Sequence, residues 1–218
     1  FGLSVSLWTD NTVKENEHKV QNKKILNRLY HNLISDSTDG MWNIKAYERG
    51  IKGSTNVIKW CDSNPSLAMI NDSIEKDISA MMIATIFVHN EEEYIALKNS
   101  GRTDLISNEE LVIKLHKYYT NINFIKTLDK FQNDFVQNNI LPFLSNYADE
   151  NLYDKQIPKN LIYKNFPKMN LYELPDIKKL RFFASNMLTW QKYTKIWYEG
   201  QVKRVSEIRQ LLREELGL

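Results

Sequence analysis

The C-terminal stretch from residue 176 to residue 216 carries one uninterrupted helical pattern of apolar residues. It follows Pro175, and its apolar residues recur near a spacing of about 3.5 residues, at Leu180, Phe183, Met187, Trp190, Trp197, Val205, Ile208 and Leu212. At about 1.5 Å per residue, this pattern predicts a helix some 60 Å long. A helix of that length buries its apolar stripe only against another element of similar length.

Residues 10–63 are the one other stretch whose helical pattern is long enough to supply that partner. Apolar residues share one face there at Leu26, Leu29, Leu33, Met41, Ile44, Tyr47, Ile51 and Ile58. Residues 35–40 are rich in side chains that cap helix ends and could interrupt the helix near 37–40. We expect a continuous or mildly bent helix, so the two ends of the chain are predicted to pack antiparallel.

Shorter helices are predicted between these two, over residues 72–88, 91–99 and 108–139. Residues 83–88 alone would also fit a strand. Residues 145–175 carry prolines among aromatic and polar residues with no sustained period, which predicts an irregular segment. The sequence therefore predicts an all-α fold with long terminal helices, shorter helices between them and one irregular excursion.

The shorter predicted helices carry signals at their ends. Asn90 is predicted to be the N-cap of the helix over 91–99, and Gly101 its left-handed terminating residue. Ser107 or Asn108 is predicted to cap the following helix, and Pro142 lies just beyond the expected end of that helix.

Charge balance and cysteine content argue against two kinds of site. Lys+Arg 29 and Asp+Glu 27 leave a net charge of +2, and the basic residues alternate with acids along the chain, which argues against a nucleic-acid-binding groove. Cys61 is the single cysteine, so a cysteine-based zinc site and an intramolecular disulfide are both excluded. We expect Cys61 to be a small residue near a helix end.

No motif in the sequence identifies a reaction. The nucleophile elbow Gly-x-Ser-x-Gly, the phosphate-binding Gly-x-x-x-x-Gly-Lys and the dinucleotide-binding Gly-x-Gly-x-x-Gly are absent. Glu15 and His18 have the spacing found in di-iron bundles, but the second Glu-x-x-His that such a site needs is missing. His31, His89 and His116 have no partner in sequence, and we expect each on a surface or helix face.

Two pairs of carboxylates stand close together in sequence. Asp36 with Asp39 and Glu91 with Glu93 are typical of solvated helix faces and of first helical turns. We therefore predict no catalytic, cofactor-binding or metal-binding residues.

The tryptophans are concentrated in the two predicted terminal helices, at Trp8, Trp42, Trp60, Trp190 and Trp197. Their spacing favours burial in the core between those helices. In an alternative interpretation, Trp42 and Trp190 line a ligand pocket.

Residues 1–9 begin with an uncharged, mostly apolar run from Phe1 to Trp8. A membrane span needs about 20 apolar residues, so we interpret residues 1–9 as the end of a membrane anchor that begins before Phe1. The alternative is a short helix end that packs on its own domain. Residues 10–218 are predicted to form a single helical-bundle domain.

Three segments carry a family resemblance. They are residues 22–36 (NKKILNRLYHNLISD), residues 96–111 (ALKNSGRTDLISNEEL) with the following Tyr118 and Tyr119, and residues 181–188 (RFFASNML). In these the chain resembles a Bacteroidota family of membrane-anchored proteins with an extracytoplasmic helical domain of unknown function. The resemblance implies an inner-membrane protein with this domain in the periplasm.

The absence of a chemical motif favours a non-catalytic domain that binds a protein partner or another copy of itself. The alternative is a ligand-sensing domain with an aromatic-lined pocket between the long helices. A deep pocket would favour the sensor, and a solid core with an exposed apolar patch would favour the interaction module. Two carboxylates and a histidine meeting inside the bundle would favour an enzyme.

Overall fold

The computed structural model describes residues 2–101, 103, 106–148 and 170–218, and in the first helix it describes the side chains of Val13 and of Glu17 onward. The helices are α1 (Gly2–Asp62), α2 (Asp72–Met81), α3 (Glu92–Asn99), α4 (Glu109–Phe135), α5 (Leu141–Leu144) and α6 (Ile177–Leu216). A 3-10 turn, Leu67–Met69, precedes α2, and a π-helical turn, Val136–Ile140, joins α4 to α5.

The two terminal helices, α1 and α6, pack against each other and antiparallel, as predicted. The residue numbers of the contacting pairs run in opposite directions along the two helices, as in Glu48–Lys195, Ser54–Gln191 and Asp62–Arg181. α1 continues without a break through residues 37–40. The all-α prediction and the continuous N-terminal helix are therefore confirmed.

The chain divides into two compact units. The first contains Phe1–Asp39, Val88–Asn123 and Gly200–Leu218, and the second contains Gly40–Phe87 and Phe124–Glu199. α1, α4 and α6 each contribute residues to both units. The single-domain interpretation of residues 10–218 stays a prediction.

The core of the second unit forms where α1, α2 and α6 meet the end of α4 and α5. Its buried cluster comprises Val57, Cys61, Ile74, Ile78, Met81, Val136, Ile140, Phe143, Leu144, Ala148, Leu180, Phe183, Ala184 and Met187. α1 and α2 approach closely at Gly53, where a Cβ atom would lie 2.7 Å from the Asp77 carbonyl oxygen. A side chain at residue 53 would therefore separate these two helices.

In the first unit, leucines of α1 are buried with residues of α3, α4 and α6. They include Leu26, Leu29, Leu33, Leu97, Leu111, Leu115, Ile122, Ile208 and Leu212. Polar contacts at the rim join α4 to α6 through Lys114 and Glu207, whose Nζ and Oε2 are 2.8 Å apart. The leucines of the predicted stripe in α1 are therefore buried, whereas Met41, predicted on the same stripe, is 45% exposed.

The connection between α2 and α3 is extended, so the predicted helix over 72–88 is wrong beyond α2, which ends at Met81. Between residues 83 and 88 the side chains alternate, with the odd positions buried and Ile86 and Val88 exposed. This alternation is that of a strand, yet within the described ranges the segment pairs with no other strand.

Gln191 of α6 explains why α2 stops where it does. Its buried amide nitrogen donates hydrogen bonds to the carbonyl oxygens of Met81 and Ile83, at 2.9 and 3.0 Å. Gly50 provides the room, because a Cβ atom there would lie 2.5 Å from that nitrogen. A side chain distant in sequence thus satisfies carbonyls that a longer helix would have bonded internally.

The predictions for the ends of the shorter helices were partly correct. Gly101 has a φ of 66° and follows α3 as expected, and Asn108 accepts a hydrogen bond from the Leu111 N–H in the manner of an N-cap. Asn90 is not a cap, because α3 begins one residue later, after Glu91. Pro142 lies inside α5 instead of beyond the helix, directly after the π-helical turn.

Most of the predicted irregular segment 145–175 lies outside the described residues. At its ends, Ala148 and Leu171 form an isolated antiparallel bridge, and the Leu171 N–H donates to Glu75 of α2. Residues 2–9 are the first turns of α1. Among the helices described, none has the length and apolar character needed to span a bilayer, and the membrane anchor stays a prediction.

Gly53→Ala is expected to lower the free energy of unfolding by about 1–3 kcal/mol, because the new Cβ would lie 2.7 Å from both Ala80 Cβ and the Asp77 carbonyl oxygen. Neither atom can rotate away. The control is Gly200→Ala, whose Cβ would meet only the Arg204 side chain, at 3.4 Å, and which should stabilise its helix by about 1 kcal/mol. Urea denaturation measures both, and equal effects would contradict the close approach.

Candidate functional site

The second unit contains a buried carboxylate. Asp129 of α4 accepts hydrogen bonds from the hydroxyls of Tyr47 and Tyr198, at 3.1 and 2.7 Å, and from the Phe87 N–H at 2.9 Å. Burial, followed by the negative charge of Asp129, raises the pKa of both tyrosines above the usual range. The hydroxyls therefore stay protonated and act as donors to the carboxylate.

A second buried carboxylate lies in the first unit. Asp36 of α1 accepts hydrogen bonds from the Asn90 N–H at 3.0 Å and from the Tyr118 hydroxyl at 2.9 Å. One turn away, Asp39 accepts from the Val88 N–H at 3.0 Å. Burial raises the pKa of Asp36 to about 6, although the hydrogen bonds from Tyr118 and Asn90 lower it.

Both carboxylates hold the extended connection in place. Asp129 binds its backbone at residue 87, and Asp36 and Asp39 bind it at residues 90 and 88. Both oxygens of Asp129 and of Asp36 are used by protein donors. These contacts give the two buried aspartates a structural role, because they complete backbone hydrogen bonds that a sheet partner would otherwise supply.

The prediction that Asp36 lies on a solvated face was wrong, since its side chain is buried. Glu91 and Glu93 lie at the start of α3 as expected: Glu91 is 3.4 Å from His89 Nε2, and Glu93 forms an ion pair with Arg28. The sequence could not predict the burial of Asp36 because its donors come from distant parts of the chain.

The histidines follow the prediction in part. His18 and His31 are exposed on α1, and His116 is exposed on α4, where its Nδ1 is 3.0 Å from the Tyr94 hydroxyl. His89 lies on the extended connection with its side chain only 6% exposed, so its predicted surface position was wrong. The Glu15 side chain lies outside the described part of α1.

Cys61 is buried beside the last residue of α1, as predicted, and burial raises the pKa of its thiol to about 11. Across the described side chains, no three histidine, cysteine or acidic residues are grouped as a metal site would require.

The prediction that tryptophans fill the core was wrong for Trp42, Trp190 and Trp197, whereas Trp60 packs against the buried cluster of the second unit. Trp42 is 44% exposed, and Trp60, Trp190 and Trp197 are half-buried. The largest fully buried aromatics are the tyrosines Tyr47, Tyr118 and Tyr198. A tyrosine hydroxyl reaches a buried carboxylate, whereas an indole donates only from its ring nitrogen.

Two of these tryptophans belong to a continuous set of rings on the surface of the second unit. Phe124 packs on Trp197 and Phe131 on Trp190, with ring centroids 4.6 and 4.7 Å apart. Tyr193 links the two tryptophans, at 6.2 and 6.3 Å. We call these five residues of α4 and α6 the aromatic ladder.

The aromatic ladder is accessible to solvent. Phe124, Phe131 and Tyr193 are 39%, 46% and 41% exposed, and the adjacent Ile196 is 64% exposed. Aromatic side chains that form a contiguous exposed patch on a well-packed protein are typical of a binding surface. The aromatic ladder is therefore the candidate functional site of this chain.

Sequence reasoning placed Trp190 and Trp197 on one helix but did not find the ladder. The missing residues, Phe124 and Phe131, follow each other by seven positions on α4, which is also the spacing of a buried stripe. Buried and exposed stripes share that period, so only the packing of α4 against α6 distinguishes them.

Comparisons with protein-family models, with curated proteins and with solved structures found no match. The resemblance to the Bacteroidota family therefore remains an expectation from the sequence.

The unfolding free energy should fall as pH rises from about 4 to about 7, by up to about 3 kcal/mol through Asp36. Its pKa is about 6 in the folded protein, so the folded state holds a proton that the unfolded state has already released. Asp36→Asn should remove this component, whereas Asp134→Asn at an exposed carboxylate should retain it. Denaturation across this pH range provides the test, and parallel profiles of wild type and Asp36→Asn would contradict it.

Tyr198→Phe should lower the free energy of unfolding by about 1–3 kcal/mol, because the buried Asp129 loses one of its donors. The ring, and its edge contact with Phe87, would remain. Tyr193→Phe is the matched control on the same helix, and its effect should stay within about 0.5 kcal/mol since its side chain is exposed. Thermal and urea denaturation would show the difference.

Proposed function

We propose that this chain is a non-catalytic helical module that binds another protein through the aromatic ladder. The observation that carries the proposal is the exposure of Phe124, Phe131 and Tyr193 beside two half-buried tryptophans. Tryptophan and tyrosine are enriched among the residues that contribute most to protein–protein binding. Partial burial of their rings also limits the entropy that each would lose on binding.

The buried carboxylates support the non-catalytic part of the proposal. Asp129 and Asp36 are enclosed, and both oxygens of each accept hydrogen bonds within the protein, so these carboxylates hold the backbone and are not open to a substrate. A rigid scaffold with a preformed surface lowers the cost of binding.

The cellular setting that we propose rests on the family resemblance and on the apolar run from Phe1 to Trp8. It comprises a membrane anchor before Phe1, a location in the inner membrane and a domain in the periplasm. The function of the aromatic ladder does not depend on that setting.

Photocrosslinking in cells tests the proposal. A photoreactive phenylalanine analogue at Thr127, which is exposed on α4 midway between Phe124 and Phe131, should give a crosslinked product of defined mass. The same analogue at Lys52, exposed on α1, should not give that product.

Two substitutions make the test specific. Tyr193→Glu should abolish the crosslink at position 127, because it introduces a charge into the ladder without changing the core. Ile86→Glu, at an exposed apolar residue outside the ladder, should leave the crosslink intact. Absence of a product at 127, or its survival in Tyr193→Glu, would overturn the proposed function.

A further inference from the structure

The extended connection between α2 and α3 has two hydrogen-bonding edges. In an extended chain the N–H and C=O of one residue point to one edge, and those of the next residue point to the other. The odd-numbered positions of residues 83–87 lie on one edge, and side chains of the second unit bond to them there. These side chains are Gln191, Asn133 and Asp129. This edge is therefore occupied by the protein itself.

The opposite edge is unpaired at two residues. At residue 88 this edge is taken, because Asp39 accepts the Val88 N–H. The backbone N–H and C=O groups of Ala84 and Ile86, in contrast, make no hydrogen bond to any residue that the structure describes. Buried backbone groups are almost always paired, so these groups are bonded to water. We call these two donors and two acceptors the open edge.

The sequence around the open edge has none of the features that protect an exposed strand. Residues 83–88 (IATIFV) contain no charged residue and no proline, and Ile86 and Val88 are 63% and 67% exposed. Native proteins usually block an exposed edge with lysine, proline or a bulge, since an open strand pairs with other chains. The β-branched residues here favour pairing instead.

The hydrogen-bonding groups of the open edge determine what complements it. A second extended backbone presents donors and acceptors with the same spacing. In an antiparallel arrangement, two of its residues would lie opposite Ala84 and Ile86 and would exchange four hydrogen bonds with them. The side chain opposite Ile86 would lie on the exposed face, where a β-branched or aromatic residue packs well.

The length of the open edge favours a flexible segment over a second copy of this chain. Two copies paired through this edge would each contribute the two residues Ala84 and Ile86, because Asp39 takes the next N–H. A stable interface between folded proteins takes about 20–30 residues from each side. An extended segment needs only to place its backbone along the edge.

We propose that residues 84–86 bind an extended segment of a partner protein, which adds to the open edge as a β-strand. This site is separate from the proposed function of the aromatic ladder and has a different chemistry. The ladder offers aromatic rings, whereas the open edge offers backbone groups. Each proposal can therefore fail without the other.

Amide hydrogen exchange measured by NMR on the full chain tests whether the edge is open. The N–H groups of Ala84 and Ile86 should exchange within about tenfold of the rate of an unstructured peptide, because they have no partner in the chain. The N–H groups of Phe87 and Val88 are bonded to carboxylates and should exchange at least about a hundredfold more slowly. Equal protection of the two pairs would overturn the inference.

A peptide titration tests strand addition. The probe is a soluble peptide of alternating valine and threonine with a lysine at each end, added to the ¹⁵N-labelled full chain. The largest amide shifts should occur at Ala84 and Ile86, and exchange of both N–H groups should slow. The same peptide with every valine and threonine N-methylated lacks the donors and should bind at least about tenfold more weakly. Absence of shifts at these two residues, or equal binding of the two peptides, would contradict strand addition.

Substitutions at Ile86 make the test specific to the backbone. Ile86→Pro removes one donor, at an edge position where proline is tolerated, and should weaken binding of the unmodified peptide about fivefold. Ile86→Val keeps the N–H and should bind as the wild type does. Equal binding by the two variants would overturn the inference, and if Ile86→Pro fails to fold, the comparison of the two peptides decides. Self-association of the full chain in sedimentation that Ile86→Pro abolishes would overturn it in favour of a second copy.

Discussion

The structure depends on side chains that hydrogen-bond to the backbone of an extended segment without a partner strand. The extended connection between α2 and α3 carries backbone groups that must be hydrogen-bonded where they are buried. In the second unit, Gln191, Asn133 and Asp129 bond to it. In the first unit, Asp39 and Asp36 accept from its N–H groups, and Tyr119 donates to the Asn90 carbonyl. These polar residues occupy helix positions that would otherwise hold apolar ones.

That arrangement explains the aromatic composition of the interior. A buried carboxylate needs donors, and Tyr47, Tyr118 and Tyr198 supply hydroxyls while still filling core volume. Trp190 and Trp197 are half-buried on α6, where their rings pack against Phe131 and Phe124 of α4. The division between buried tyrosines and peripheral tryptophans separates the residues that stabilise the fold from those that form the candidate binding surface.

Much of the fold could be predicted from the sequence, and much less of the site. Leu29, Leu33, Ile208 and Leu212 were assigned to buried stripes from their spacing, and all are buried. The ends of the helices were predicted less well, because Asn90 has the side chain of a cap but its backbone is bound by Asp36 instead. Phe124 and Phe131 have the spacing of core residues yet are exposed. A periodic pattern shows which residues share a face but leaves open whether that face meets another helix or solvent.

The sequence by itself determined the long terminal helices, their apolar stripes and their antiparallel pairing, because these follow from local periodicity and from the need of a long stripe for a long partner. Only the tertiary structure decided that α2 ends at Met81, that Asp36 is buried and that the rings of the aromatic ladder face solvent. Each of these depends on contacts between residues distant in sequence, such as Gln191 with Met81. Local propensity carries no information about which distant side chain will lie opposite a given backbone group. The packing of the helices decides that.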